Sequence, residues 1–153
     1  MVESAEEAIR DSDIVHTVTT VDVGEEYVEP AWLKKGSFHS FVSQYDYKEE
    51  CHLLPNVKFG MDWLDRLNDR DSCTLANMVL DGKMAKPTYP LVTQVSDVLL
   101  GNKPGRTNPD DIYLFATIGI VITDVLNCYE VYKGCLEKGL GTEVYQWKEP
   151  HNM

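Results

Sequence analysis

Short runs of β-branched and aromatic residues alternate along the chain with stretches in which apolar side chains recur every three or four positions. The first kind reads as strand, the second as helix. Ser4-Ala5-Glu6-Glu7 has the spacing of a capping box, in which Ser4 accepts from the backbone of Glu7 and Glu7 reaches back. Ala5, Ala8 and Ile9 give the short helix behind it an apolar side. Residues 13–19 form a first strand, nearly all apolar on both faces, as in the centre of a parallel sheet. Trp32 to Gly36 reads as one helical turn or a loop stopped by glycine. Residues 37–43 make a second strand and 57–61 a third, preceded by Pro55-Asn56.

Beyond Asp62 the period lengthens. Leu64, Leu67, Leu75, Met78 and Val79 fall at helical spacings up to Gly82, with Asp71 or Ser72 available to cap a fresh helix. Val92, Val95, Val98 and Leu99 predict a short amphipathic helix closed by Gly101, and residues 103–109 have turn chemistry. Residues 112–116 are a fourth strand. The longest element follows: Ile118, Val121, Ile122, Val125, Cys128, Tyr129, Tyr132, Cys135 and Leu136 form one apolar stripe, stopped by Gly139-Leu140-Gly141. Tyr145 and Trp147 make an aromatic tail that must tuck back or pack on another domain or subunit. Strands alternating with helices predict an α/β fold with a mostly parallel sheet.

The chain has 153 residues, enough for one domain with a real core. Its 14 Lys+Arg against 25 Asp+Glu give a net charge of −11, which repels phosphate and argues against nucleic acid and anionic membranes as partners. No apolar run reaches the ~20 residues that span a bilayer, and the acidic start, Met1-Val2-Glu3, is unlike a signal peptide, so a cytoplasmic location is expected. Cys51, Cys73, Cys128 and Cys135 show no paired spacing and read as reduced, mostly buried thiols; no metal site is expected. The four histidines are scattered, and His16, on a strand that looks buried, reads as a core residue.

An α/β chain invites a search for a phosphate-binding turn. Neither G-x-G-x-x-G nor G-x-x-x-x-G-K-[ST] occurs. Residues 4–19, the Trp32-Leu-Lys-Lys-Gly36 segment with the strand behind it, Gly101 to Arg106, Ile112 to Gly119 with Asp124, and Val131 to Thr142 together resemble, in order and over nearly the whole chain, the C-terminal portion of the ornithine cyclodeaminase/mu-crystallin family. The resemblance implies a partial Rossmann-like fold. Residues 1–118 would be the distal half of a dinucleotide-binding domain. Residues 119–153 would be a C-terminal helix and tail that complete a substrate/dimerisation domain. The glycine-rich first βα unit and the substrate domain of usual members would lie upstream.

It further implies NAD(H) or NADP(H) as cofactor, weakly bound or unbound by this chain alone, and hydride and proton transfer at the Cα–N centre of an amino acid such as ornithine, or of a cyclic imine. Thr17 and Thr19 end the first strand, where a parallel sheet offers its carboxyl ends to a ligand. With Val42, Ser43, Lys48 and Thr117 they match family positions near the dinucleotide, and Ile118 matches one on the substrate side. Ser43 stands where the family has glycine. Direct counting puts Tyr45 at the family's acid/base aspartate, and one inserted residue puts Asp46 there. The expected partners are a small amino acid or imine and either a second copy or an upstream fragment. The alternative is a non-catalytic remnant or interaction module.

Overall fold

A computed structural model describes residues 1–119 and 121–144. Residues 1–118 form one compact unit and the chain from Gly119 onward a second. The first unit is built on five parallel strands: β1 (Ile14–Thr17), β2 (Phe38–Phe41), β3 (Val57–Met61), β4 (Val92–Gln94) and β5 (Ile112–Ala116), in the order β1-β2-β5-β3-β4. Its helices are α1 (Ala5–Ile9), α2 (Glu49–His52), α3 (Thr74–Leu80) and α4 (Val95–Leu99), with single 3-10 turns at Pro30–Trp32 and Leu64–Asn68. The α/β architecture and all four expected strands are present.

The pleat sorts the sheet into two faces. Val15, His39, Phe41, Val57, Phe59, Met61, Ile112, Leu114 and Ala116 are buried on one, under Cys51 and His52 of α2 and Leu75 of α3. Phe38, Ser40, Tyr113 and Phe115 turn to the other, where Val95 and Val98 of α4 help to enclose a cavity of about 370 Å³. Gly60 sits opposite Phe115 there: a Cβ on it would come 2.4 Å from that ring.

Several expectations need correction. β1 is an edge strand, and Ile14 (74% exposed) and His16 face outward while Val15 and Thr17 are buried. Apolar residues on both faces signalled a central position, yet the chain supplies a neighbour on one side alone. His16 is therefore no core residue; among the described residues the buried histidines are His39 and His52. Val92 opens a strand, and the helix begins only at Val95, because the i, i+3 spacing of valines runs across the strand–helix junction. Neither Asp71 nor Ser72 caps α3. Cys73 occupies that position without a side-chain bond, and Asp71, at φ +62°, instead exchanges two hydrogen bonds with Asn77. At α1, Ser4 Oγ accepts from Glu7 N at 3.1 Å as expected, whereas the Glu7 carboxylate accepts from Glu3 N rather than from the cap.

Gly36 ends the connection into β2 at φ +77°, and a Cβ on it would lie 2.6 Å from the Pro109 carbonyl oxygen. Both the left-handed backbone and a backbone clash oppose any side chain. Gly36→Ala is expected to cost about 2 kcal/mol of stability, read as a lower urea midpoint at unchanged slope. An unshifted midpoint would show that the loop holding Pro109 yields freely.

The second unit, described by itself, holds α5 (Val121–Lys138). Its end is a glycine cap: Gly139, at φ +63°, donates to Leu136 O at 3.2 Å and Leu140 N donates to Cys135 O at 2.9 Å. Tyr145 and Trp147 lie outside the described residues. No helix among the described residues is long and apolar enough to cross a membrane.

Candidate functional site

Parallel strands in register bring their carboxyl ends together. Thr17 pairs with Phe41 and Phe41 with Ala116, and the pairing continues past the strands, with Val42 N donating to Thr17 O and Thr117 N to Phe41 O, both at 3.0 Å. The segments 17–19, 42–43 and 116–118 thus lie side by side at one end of the sheet. Gln44 ties two of them: at φ +69°, its side-chain amide donates to Val42 O at 2.7 Å and to Thr117 O at 2.9 Å. The left-handed residue is therefore Gln44 and not Ser43, so serine in place of glycine costs the backbone nothing at this point.

Asp46 is the centre of the polar arrangement. It is fully buried, and its carboxylate accepts from three hydroxyls: Thr17 Oγ1 at 2.5 Å, Thr19 Oγ1 and Ser43 Oγ. These residues come from the ends of β1 and β2, 24 to 29 positions apart in sequence where β1 meets the loop after β2, so no local spacing announces the cluster. The backbone of Asp46 is equally committed, its carbonyl accepting from Tyr27 N at 3.1 Å and Val28 N at 2.9 Å.

Tyr27 is the residue that sequence reasoning missed. Its phenol lies against Asp46 and Thr19; burial and the neighbouring Asp46 charge raise its pKa and keep it protonated. Together with Thr17 and Thr19 it lines an open cavity of about 310 Å³, whose remaining wall is His16 and apolar residues that include Ala5, Ala8 and Ile9 of α1. Nothing in the polar loop that carries Tyr27 marks it out; only the Val28–Tyr47 bridge folds that loop against the site.

The other expected positions divide. Val42 is 42% exposed beside the cluster. The Thr117 hydroxyl lies 3.4 Å from that of Ser40, and Ile118 packs half-buried against the core. Lys48 is withdrawn into an ion pair with Glu29. The Tyr45 phenol is directed toward Asp71, Cys73 and Asn77, away from the hydroxyls, so of the two residues competing for the family's aspartate position only Asp46 reaches the cluster.

Behind the site, on the buried face, a second polar chain runs along β2. Ser37 Oγ donates to Lys34 O at 2.6 Å and lies 2.7 Å from His39 Nε2, and His39 Nδ1 is 3.0 Å from the Tyr47 hydroxyl. Burial pushes His39 down to about 4 and drives the Tyr47 phenol far up, so both are neutral near pH 7.

The model of the ornithine cyclodeaminase/mu-crystallin family matches residues 1–139. The chain belongs to that family. Among its relatives is the N-((2S)-2-amino-2-carboxyethyl)-L-glutamate dehydrogenase of Staphylococcus aureus, 31% identical over 140 residues that make up 92% of this chain and 40% of that protein. Alanine dehydrogenase of Archaeoglobus fulgidus is 26% identical over 94% of this chain and 43% of its own. In structure the chain matches the Δ1-pyrroline-2-carboxylate reductase of Thermococcus litoralis, solved with NADH and L-proline, at a TM-score of 0.76 and 27% identity, covering 94% of this chain and 44% of that one. The chain therefore spans less than half the length of these family members. The shared fold is the Rossmann-like one expected.

Proposed function

We propose that this chain supplies the distal half of a nicotinamide-dependent enzyme acting at the Cα–N bond of a small amino acid or of the corresponding imine. The observation that carries the reading is the convergence of Thr17, Thr19 and Ser43 on one buried carboxylate, at the end of the sheet where Val42, Thr117 and Ile118 lie alongside. Ligands of open α/β sheets sit at that end, and the relatives include dehydrogenases and a reductase.

The residues present fit part of a dinucleotide. Hydroxyls and strand ends suit a nicotinamide riboside, while the chain contains no glycine-rich turn for the diphosphate, and the one nearby cation named above, Lys48, is spent on Glu29. When bound, the nicotinamide supplies hydride exchange. In this reading Thr17, Thr19, Val42, Ser43 and Thr117 line its place, a phosphate would have to displace Glu29 to meet Lys48, and Ile118 bounds the substrate side. Asp46 is the acid/base group. Its carboxylate has no exposed surface, so protons reach it through the Thr19 and Tyr27 hydroxyls.

Titrating the isolated chain with NADH, followed by nicotinamide fluorescence, tests the incompleteness of the site. Without a diphosphate cradle the dissociation constant should be on the order of millimolar or weaker, at most about −4 kcal/mol. Micromolar affinity would mean that the chain completes its own site. No change in fluorescence even at saturating solubility, with or without an added glycine-rich βα unit, would favour the reading of a non-catalytic remnant.

A further inference from the structure

The second face of the sheet carries a polar cavity that the strand-end site does not use. Lys58 of β3 is in register with Tyr113 of β5, and Asp111, two residues before Tyr113, falls on the same face by alternation. With Thr93 of β4 and Asn108 they line a cavity of about 250 Å³ toward the amino ends of the strands, away from Asp46. It shares Thr93, Gly105 and Tyr113 with the cavity of about 370 Å³ that Phe38, Phe115, Val95 and Val98 help to enclose. The two adjoin as one groove, charged at one end and apolar at the other. Two of its charges are unpaired. Asp111 is 5% exposed, yet its carboxylate accepts no hydrogen bond and joins no ion pair among the described residues. Only its main chain is engaged, the N–H donating to Asn108 O at 3.2 Å and the carbonyl accepting from Arg106 Nη1. Lys58 has no carboxylate partner among the described residues either, although the chain holds 25 acidic residues to 14 basic. Arg106, which lies over the Tyr113 ring at 4.8 Å and also donates to Ser37 O at 3.2 Å, adds a second positive charge to the wall.

We propose that this groove binds a free amino acid with an aromatic or branched apolar side chain. A nearly buried carboxylate without a partner is costly, and an ammonium group arriving in the cavity removes that cost. A simple anion would leave Asp111 unpaired, and a simple amine would meet the two cations with nothing to offer them. A zwitterion answers both, with its α-ammonium at Asp111 and its α-carboxylate at Lys58, while the side chain lies among Phe38, Phe115, Val95 and Val98. A peptide terminus carries only one of the two charges and does not fit. The site stands apart from the nicotinamide reading, on the other side of the sheet from the buried core and away from Thr17, Thr19 and Asp46.

The test is a set of amide-resolved NMR titrations of the ¹⁵N-labelled chain at constant ionic strength with L-phenylalanine, hydrocinnamate, phenethylamine and glycine. L-Phenylalanine should move the amides of Lys58, Thr93, Asp111 and Tyr113 and leave those of Thr17 and Thr19 in place. The other three lack the ammonium, the carboxylate and the side chain in turn, and each should bind about tenfold more weakly or worse. In Lys58→Ala, at a half-buried surface position, phenylalanine should weaken to the level of phenethylamine, while phenethylamine itself keeps its affinity. Hydrocinnamate binding as tightly as phenylalanine would overturn the role of Asp111, and with it the amino-acid specificity. Phenylalanine shifts confined to Thr17 and Thr19 would move the ligand to the strand-end crevice, and silence of all these amides up to its solubility would leave no site; either result overturns the proposal. Should Lys58→Ala fail to fold, the comparison of the four ligands on the wild-type chain still decides.

Discussion

Acidification from pH 7 to pH 4 is expected to strip the first unit of most of its stability. His39 and His52 are both buried, and burial pushes each down to about 4, well below the ordinary histidine value of 6.5. For His52 the Lys48 carbonyl, at 3.1 Å from Nδ1, and the charges of Glu49 and Glu26 offset the burial only in part. The folded unit therefore holds both rings neutral where the unfolded chain protonates them. Because the unfolded state binds more protons between the two values, stability is complete above about pH 6.5 and falls as pH drops toward 4. Each ring contributes roughly 1.4 kcal/mol per pH unit within that window, or about 3 kcal/mol in all. Two such losses compare with a typical domain stability of about 5–15 kcal/mol. Urea denaturation at a series of pH values should show the midpoint collapsing below pH 6. His52→Phe, which keeps a ring against Phe59 where the two now stack at 5.8 Å, should remove about half of the slope. A midpoint that is flat from pH 7 to pH 4.5 would show that neither ring is held neutral by the fold.

How much of this was legible in the sequence depends on whether the determinant is local. β5 and α5 were readable because a compact apolar run and a wide helical stripe each state their own period, and the glycine pair at 139 and 141 marks the stop. β3 could be read to the residue for the same reason. β4 could not: three residues are too few to show alternation, and the valines at 92, 95 and 98 imitate a helix. The edge position of β1 was hidden because residue type reports how apolar a strand is, while its exposure depends on whether another strand lies beside it. The site was legible in outline, since strand ends of a parallel sheet are where ligands bind. Its chemistry was not. Asp46 stands in a loop that reads as solvated, and only the pairing of β1 with β2 brings Thr17 and Thr19 onto it. His39 and Tyr47 are eight residues apart and meet by the same folding of the β2 exit loop onto the buried face. Family resemblance supplied the two positions between which counting could not choose, and geometry separates them by the direction each side chain takes.

Adding a glycine-rich βα unit from a family member to this chain is expected to raise NADH affinity about a thousandfold, from millimolar toward micromolar, or about 4 kcal/mol. β1 is the edge strand of the sheet, with one side open. Asp13 O and Thr17 O receive hydrogen bonds from β2 residues, so the alternate residues Ile14, His16 and Val18 present their backbone groups to the open side. Ile14 and Val18 are 74% and 68% exposed there, an apolar edge of the kind that invites a further strand. A parallel strand docked on it would place its own carboxyl end next to Thr17 and Thr19. The turn that follows such a strand would then offer the backbone N–H groups and helix N-terminus that a diphosphate requires and for which this chain has no glycine-rich turn. Two half-sites joined in this way bind one ligand, and the second half engages at the high effective concentration set by the first. Isothermal calorimetry of NADH into the chain, the added unit and their mixture separates the three cases. Light scattering on the same samples reports whether the exposed edge drives self-association of the chain alone and is relieved on mixing. Unchanged affinity in a mixture that does form the complex would mean that the β1 edge is not where a glycine-rich unit completes a dinucleotide site.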